Sequence, residues 1–286
     1  MHMIRVLGVA LLLLVGVSCT HQDGTGGNGA GQQESNYERI LREGTLRVGY
    51  ISYPPSFIYD PNTRRFSGIY HEVLMEIGRR AGFKIDYTEE VSWGTMIEAI
   101  RTGKVDVIST GVWPTIERGK HINFTGPLYY SAIRTYTRAG NNTLDGNLSR
   151  INAFGVRVAA IDGEMTSIIA NSDFPKATLA SLPQTTDISQ VLLEVATGKA
   201  DVTFAEPAVA GAYMASNPGK IKEVQGVAPV RVFPNTMIVG KDDPELLSTL
   251  NIALEELHNN GFIEKVLAKY EKYPNSFFRV AIPYRQ

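Results

Sequence analysis

Arg118 stands a few residues beyond a β-branched run at 105–108, in a loop that also carries Glu117 and Lys120. In an open α/β sheet, the loop leaving a strand's carboxyl end is where ligands sit. A guanidinium there can grip a carboxylate through two parallel hydrogen bonds, which outweighs the alternative, an exposed pair with Glu117. A second candidate is the loop Tyr53, Pro54, Pro55, Ser56, Phe57, whose prolines stiffen the backbone and hold aromatic rings outward as a ligand wall. Patterns for covalent or metal chemistry are missing. The histidines, His2, His21, His71, His121 and His258, are scattered, and none completes HExxH or partners the lone Cys19. GxSxG, SxxK and P-loop motifs are absent. The pair His71-Glu72 reads as solvated helix surface rather than a metal site. No catalytic residue, metal or cofactor is therefore expected.

Helices and strands must position these groups. Met96, Ile97 and Ile100 share one helical face, Gly103 stops that helix, and residues 105–108 follow as a buried strand, after which Ser109, Thr110 and Gly111 lead into the loop. The same unit occurs twice: TGKVDV at 102–107 recurs as TGKADV at 197–202, each after a helix-like segment containing a glutamate. Its spacing is too long for a solenoid, so the plain implication is two α/β lobes on one plan. Upstream, a short helix at 37–43 closes on Gly44, a strand spans 46–51, 60–65 forms a turn, a helix spans about 68–80 and a second strand 83–87.

At 286 residues and 43% hydrophobic, the chain is long enough for two cores. With 28 basic against 29 acidic residues, there is no electrostatic footprint for nucleic acid. The single cysteine excludes an intrachain disulfide framework. Residues 1–5 carry a basic side chain, 6–17 are apolar or glycine, and Ser18-Cys19 follow, the layout of a secretory signal too short to span a bilayer permanently. Residues 20–35, rich in Gly, Gln and Asn, read as a flexible tether. Within it GTGGNG at 24–29 matches the dinucleotide fingerprint by letter only, since no strand precedes it and no helix follows.

YPPSF at 53–57, SGIYHEVL at 67–74, WGTMIEAIRTGKVDVI at 93–108, PTIERGKHINFTGPLYYS at 114–131, GKADVTFAEP at 198–207 and IALEELHNNGFIEKVLAKY at 252–270 occur in that order. Together they resemble the extracellular solute-binding proteins of family 3, the polar amino acid receptors of ABC importers. The resemblance implies an α/β fold of the type II periplasmic-binding-protein kind, a two-lobed clamp with two hinge crossings, near 131–136 and 231–239. The implied organisation is a signal peptide at 1–18, a tether at 19–36, lobe one at 37–131 and 232–273, lobe two at 132–231, and a tail at 274–286 without an assigned role. VGVSC at 15–19 resembles a bacterial lipobox with Cys19 lipidated, although Gly16 stands where a bulky aliphatic is usual; ordinary signal-peptidase cleavage is the alternative. Either way a periplasmic or outer-face location is implied, with an ABC permease as partner and the receptor acting as a monomer.

Residue by residue, the resemblance makes Arg118 the anchor of a ligand α-carboxylate and Glu206 the acceptor of its ammonium. Tyr53 and Trp93 become aromatic walls, Thr110 a head-group contact, and Met165 and Thr166 the turn capping the carboxylate. A solvated carboxylate at Glu206 and a core or stapling role for Trp93 are the structural alternatives. Departures stand at Gly111 and Trp113, where small hydroxyl residues are usual, and at Tyr70 and Met165. With fewer charged contacts, the expected ligand has an apolar or aromatic body, or lacks a complete amino acid head group. The family also resembles cyclohexadienyl dehydratases, whose catalytic glutamate matches Thr166 here, with Glu164 close by but out of register. A sensory domain of a membrane kinase would need a transmembrane helix after the clamp, and the sequence ending at Gln286 offers none.

Overall fold

Ser35 starts the folded chain: its hydroxyl accepts the Glu38 N–H while the Glu38 carboxylate accepts the Ser35 N–H. This capping box opens α1 (Asn36–Glu43), and Gly44, at φ 61°, ends it as the sequence requires. A computed structural model describes residues 34–280; the signal segment, Cys19, nearly all of the tether and residues 281–286 lie outside the described residues. Everything below belongs to one compact unit beginning at Ser35.

After α1 come β1 (Thr45–Tyr50), β2 (Ile58–Asp60), β3 (Arg65–Ser67), α2 (Ile69–Ala81), β4 (Lys84–Glu90), α3 (Met96–Arg101), β5 (Val107–Val112), α4 (Ile116–Gly119) and β6 (Ile122–Phe124). The long strand β7 (Tyr129–Arg138) leads to β8 (Arg157–Ile161), α5 (Met165–Asp173), β9 (Thr178–Leu182), α6 (Ser189–Ala196), β10 (Val202–Ala205), α7 (Pro207–Ser216) and β11 (Ile221–Glu223). A second long strand, β12 (Arg231–Gly240), returns to α8 (Pro244–Asn259), α9 (Phe262–Tyr270) and β13 (Phe277–Phe278).

The sheet order β4-β1-β5-β12-β7-β10-β8-β9 holds the same plan twice. In each half the first strand lies between the second and third, all parallel, and a long antiparallel strand follows. Strands β7 and β12 pair with each other from Tyr129↔Asn235 to Ile133↔Arg231, then diverge. Beyond that ladder β7 joins β10 and β12 joins β5, so the two crossings are one antiparallel ribbon. Separate apolar clusters lie on either side. One gathers Leu46, Val48, Leu74, Leu250 and Val266, so α8 and α9 pack back against the first half. Another gathers Val158, Ile169, Phe174 and Phe204.

The repeated motif has a structural cause. Asp106 accepts the backbone N–H of Arg47 at 2.8 Å and its guanidinium at 2.6 Å, while its own N–H donates to the Arg47 carbonyl at 2.9 Å. In the other half Asp201 treats Arg157 identically, with contacts of 2.9, 2.9 and 2.8 Å. Each TGKxDV aspartate thus rivets the third strand to the first. The Asp106 side chain is fully buried and also takes Arg39 at 2.7 Å, whereas that of Asp201 is 30% exposed.

Some boundaries differ from expectation. The turn expected at 60–65 is present and forms the tip of the β2 and β3 hairpin. Strand β5 continues through Ser109, Thr110 and Gly111, where a loop was expected, because β12 supplies a partner as far as Thr236↔Val112. His71 is not solvated surface: it bonds the Tyr87 hydroxyl at 2.9 Å, and Glu72 accepts from Tyr270 at 2.6 Å. Beyond α9, β13 adds to β7 beside Ser131, and the ring of Tyr273, just before the tail, lies so close to α7 that a Cβ on Gly211 would come within 2.5 Å of it.

Removing one partner of a buried ion pair strands the other, a loss of roughly 3–5 kcal/mol. Urea denaturation should give Asp106→Ala a loss of that size and Asp201→Ala a loss of about 1–2 kcal/mol. Equal losses would contradict the burial difference between the two rivets.

Candidate functional site

The carboxyl ends of the six parallel strands converge on one cavity of about 130 Å³, far above the roughly 10–15 Å³ one water needs. After β1 come Ser52 and Tyr53; after β4, Trp93; at the end of β5 and beyond, Gly111, Trp113 and Arg118. The other half contributes Glu164, Met165 and Thr166 after β8, Gln184, Thr186, Asp187 and Ile188 after β9, and Phe204 from β10. Ile133, on the crossing strand β7, lines it as well. Both halves follow the rule that open sheets bind at strand carboxyl ends.

Arg118 reaches the wall because Thr115 caps the short helix α4, accepting the Arg118 N–H at 3.2 Å. One guanidinium nitrogen, Nη1, donates to the Trp113 carbonyl at 3.2 Å. The other, Nη2, faces Oε2 of Glu164 at 3.7 Å, inside ion-pair range but longer than a hydrogen bond. Both side chains are more than four-fifths buried, at 16% and 19% exposure. Burial pushes the Glu164 carboxyl above its ordinary range, against the opposing pull of Arg118 and of Gln184, whose amide donates at 3.4 Å.

Of the residues singled out in the sequence, Tyr53, Trp93, Trp113, Arg118, Met165 and Thr166 share this cavity. Tyr53 and Trp93 meet edge to face, with centroids 5.7 Å apart. Thr166 opens α5 and its hydroxyl accepts the Ile161 N–H at 2.9 Å, so the positive end of that helix borders the cavity. Thr110 and Glu206 are not on the lining. The Thr110 hydroxyl is buried in β5 and donates to the Ile51 carbonyl at 3.0 Å. Tyr70 is core.

Glu206 lies behind the wall, inside a polar chain that sequence alone does not reveal. The Tyr53 hydroxyl donates to Glu206 at 2.7 Å, and Ser131 donates to the same carboxylate. The Asn235 amide donates to Ser131 at 2.9 Å, and its carbonyl accepts the Trp113 indole N–H at 3.0 Å. Two aromatic walls are thereby tied together through both crossing strands, with Phe233 stacked on Trp113 at 4.8 Å. The glycine at 111 follows from this, since a Cβ there would meet the Asn235 amide oxygen at 2.6 Å. Among the described residues no group of three or more His, Cys, Asp or Glu is arranged to hold a metal, and no helix is long and apolar enough to cross a membrane.

The model of the bacterial extracellular solute-binding proteins, family 3, matches residues 46–273. The chain belongs to that family. Among curated relatives it is 23% identical to a "probable histidine-binding protein" of Campylobacter jejuni, over 79% of this chain and 85% of that one. It is 21% identical to the L-cystine-binding protein TcyA of Bacillus subtilis, over 92% and 96%. Among solved structures, the ancestral amino acid-binding protein AncCDT-1, described as a precursor of cyclohexadienyl dehydratase, superposes with a TM-score of 0.71 at 26% identity, covering 83% of this chain and all of that one. Two-lobed binding proteins are thus its structural neighbours, and the shared fold is the clamp expected from the motifs.

Burial raises the Glu206 carboxyl above its ordinary range although Ser131 and Tyr53 pull it down. A raised carboxyl keeps its proton in the fold where the unfolded chain has lost it, so its contribution to stability declines as pH rises through that interval. Glu206→Gln keeps an acceptor for Tyr53 without the charge. Its stability relative to wild type, from denaturant midpoints, should therefore increase as pH rises above the range where an unfolded glutamate titrates, about pH 4. A difference independent of pH would contradict the buried-carboxylate account.

Proposed function

We propose that this family 3 protein is the extracytoplasmic receptor of an ABC importer and binds an amino acid between its lobes. One observation carries the proposal: a single guanidinium, Arg118, stands at the wall of an otherwise largely apolar and aromatic cavity to which both lobes contribute. Arg118 holds the ligand carboxylate, assisted by the N-terminal end of α5. Tyr53, Trp93 and Trp113 enclose the ligand body, and Glu206 acts through Tyr53 and Ser131 by fixing the aromatic walls. Thr110, bonded to Ile51, holds β5 against the end of β1.

The rigid bodies are residues 37–131 with 232–273, and residues 132–231, turning about the ribbon of β7 and β12. Closure expels water and strengthens the charged contacts, and it proceeds only as far as the ligand favours the closed state. The closed monomer then docks on its permease, with the chain held at the outer face of the membrane through a lipid on Cys19. The aromatic and aliphatic lining supports a ligand with an apolar or aromatic body.

A thermal-shift screen over amino acids and small carboxylates tests this. Saturating ligand at about 100 times Kd adds about 2.7 kcal/mol, a shift of several degrees. Arg118→Ala should abolish the shift at the same concentration, whereas a shift surviving in that variant sinks the proposal. The largest shift should come from an apolar or aromatic amino acid rather than lysine, arginine or glutamate.

A second activity is favoured by the placement of Glu164: a buried carboxyl with a raised pKa beside a guanidinium has the makings of a general acid in a dehydratase like that of the AncCDT-1 lineage. The binding role predicts no turnover of prephenate by absorbance. Turnover lost in Glu164→Gln would establish the enzyme instead.

A further inference from the structure

The segment that follows α9 lies off the cavity, yet it touches both halves of the molecule. Its attachment to the first half is firm. Phe277 is buried in the cluster that holds Leu250 and Val266, and it meets the Tyr129 ring edge to face with centroids 4.9 Å apart. Its N–H donates to Glu271 at 3.3 Å. Arg279 then closes the loop, donating to Glu264 of α9 at 2.9 Å and to Glu271 at 2.6 Å. Between these anchors the chain turns at Pro274 and Asn275, the latter at φ 61°, a left-handed value that asparagine tolerates. The Ser276 hydroxyl donates to the Tyr273 carbonyl at 2.7 Å across that turn. Proline also restricts the residue before it to extended backbone, so Tyr273 is presented by a stiff loop.

The Tyr273 ring reaches the other half. A Cβ built on Gly211 of α7 would lie 2.5, 2.6 and 2.7 Å from three of its ring carbons, closer than side chains approach one another. Packing places α7 in the second half, where Ala210 is buried in the same cluster as Ala159, Val191 and Val195. Glycine inside a helix costs stability relative to alanine, and here it leaves the backbone bare for the ring. Tyr273 and Gly211 are a plug and its socket, carried by elements that pack on opposite sides of the crossing strands.

We infer that the loop from Glu271 to Arg279 is a strap across the hinge, with Tyr273 seated on Gly211, and that it holds the two halves in their approached arrangement. The inference goes beyond the receptor function and needs no ligand, since Tyr273 is off the cavity lining. The root of the strap is fixed to the ribbon, where β13 pairs with β7 at Phe277↔Ser131 and Phe278↔Tyr130. Its tip bears on α7. Turning of the second half about the ribbon carries α7 as a body past a ring anchored on the first half. Dispersion contacts fade over a radial gap of about 1 Å, so a ring seated on bare backbone loses its packing after a small displacement. The socket is filled while the halves also meet at Arg118 with Glu164 and at Tyr53 with Glu206, so the strap favours the same arrangement as those contacts. Tyr273 is thus a positioning residue for the cavity.

Pulsed dipolar spectroscopy of the full-length, ligand-free chain tests this. Nitroxide labels go on Glu117→Cys of α4 and Asn171→Cys of α5, both exposed, in a Cys19→Ser background so that no other thiol reacts. Wild type should show one dominant short distance. Tyr273→Ala should raise the fraction at longer distances by roughly 3–10-fold, the effect of losing about half of one aromatic side chain's burial from one of two states. Gly211→Ala should do the same by displacing the ring, and should add nothing when combined with Tyr273→Ala. Tyr273→Phe should keep the wild-type distribution, with every variant melting cooperatively. Should Tyr273→Ala fail to fold, Gly211→Ala set against Tyr273→Phe decides alone. A wild-type distribution in Gly211→Ala, or effects of the two substitutions that add, overturns the strap and leaves the receptor function standing. Failure of the receptor function would appear in the thermal-shift screen and leave these distances unchanged.

Discussion

One guanidinium that commits a single nitrogen to a hydrogen bond within the protein governs the site. Arg118 spends Nη1 on the Trp113 carbonyl and stands 3.7 Å from Glu164, so it is positioned without being saturated. A fully paired arginine would offer a ligand little, because a bidentate salt bridge must be broken before another can form. An unpaired one would be costly to bury. The geometry lies between these limits, with the charge partly balanced across the two lobes and the directional bonds left for a ligand.

What holds Arg118 and Glu164 in place is scaffold rather than site. Riveting by Asp106 on Arg47 and Asp201 on Arg157 fixes, in each lobe, the third strand to the first, and both site loops leave those strands. The polar line from Tyr53 through Glu206, Ser131 and Asn235 to Trp113 runs across β7 and β12, so the aromatic walls are tied to the two strands that join the halves. The tail adds a third strand, β13, to that ribbon, and Tyr273 just before it packs against Gly211 of α7.

Much of this was legible because it is local or repeated. TGKxDV announced two lobes on one plan, and the position of Arg118 after a buried strand announced a ligand charge. Glycines at 44 and 103 marked helix ends by their left-handed backbone, at φ 61° and 67°. What escaped was tertiary. The aspartates of the repeat were visible, but their arginine partners stand 59 and 44 residues away. Ser109 and Thr110 look like loop residues until β12 arrives to pair with their strand. That Glu164 faces Arg118 had no sequence signal, because the approach depends on how α5 begins after β8 and how lobe two faces lobe one. Asn235 carries no sequence signal, and Gly111 only makes sense once the amide of Asn235 is beside it.

The most direct measurement is a crystal structure of the receptor with a bound amino acid drawn from the thermal-shift screen. Density for the ligand is expected between the lobes, with its carboxylate within hydrogen-bond distance of the Arg118 guanidinium and its body against Tyr53, Trp93 and Trp113. A ligand held on one lobe alone, or a carboxylate directed away from Arg118, would contradict the account.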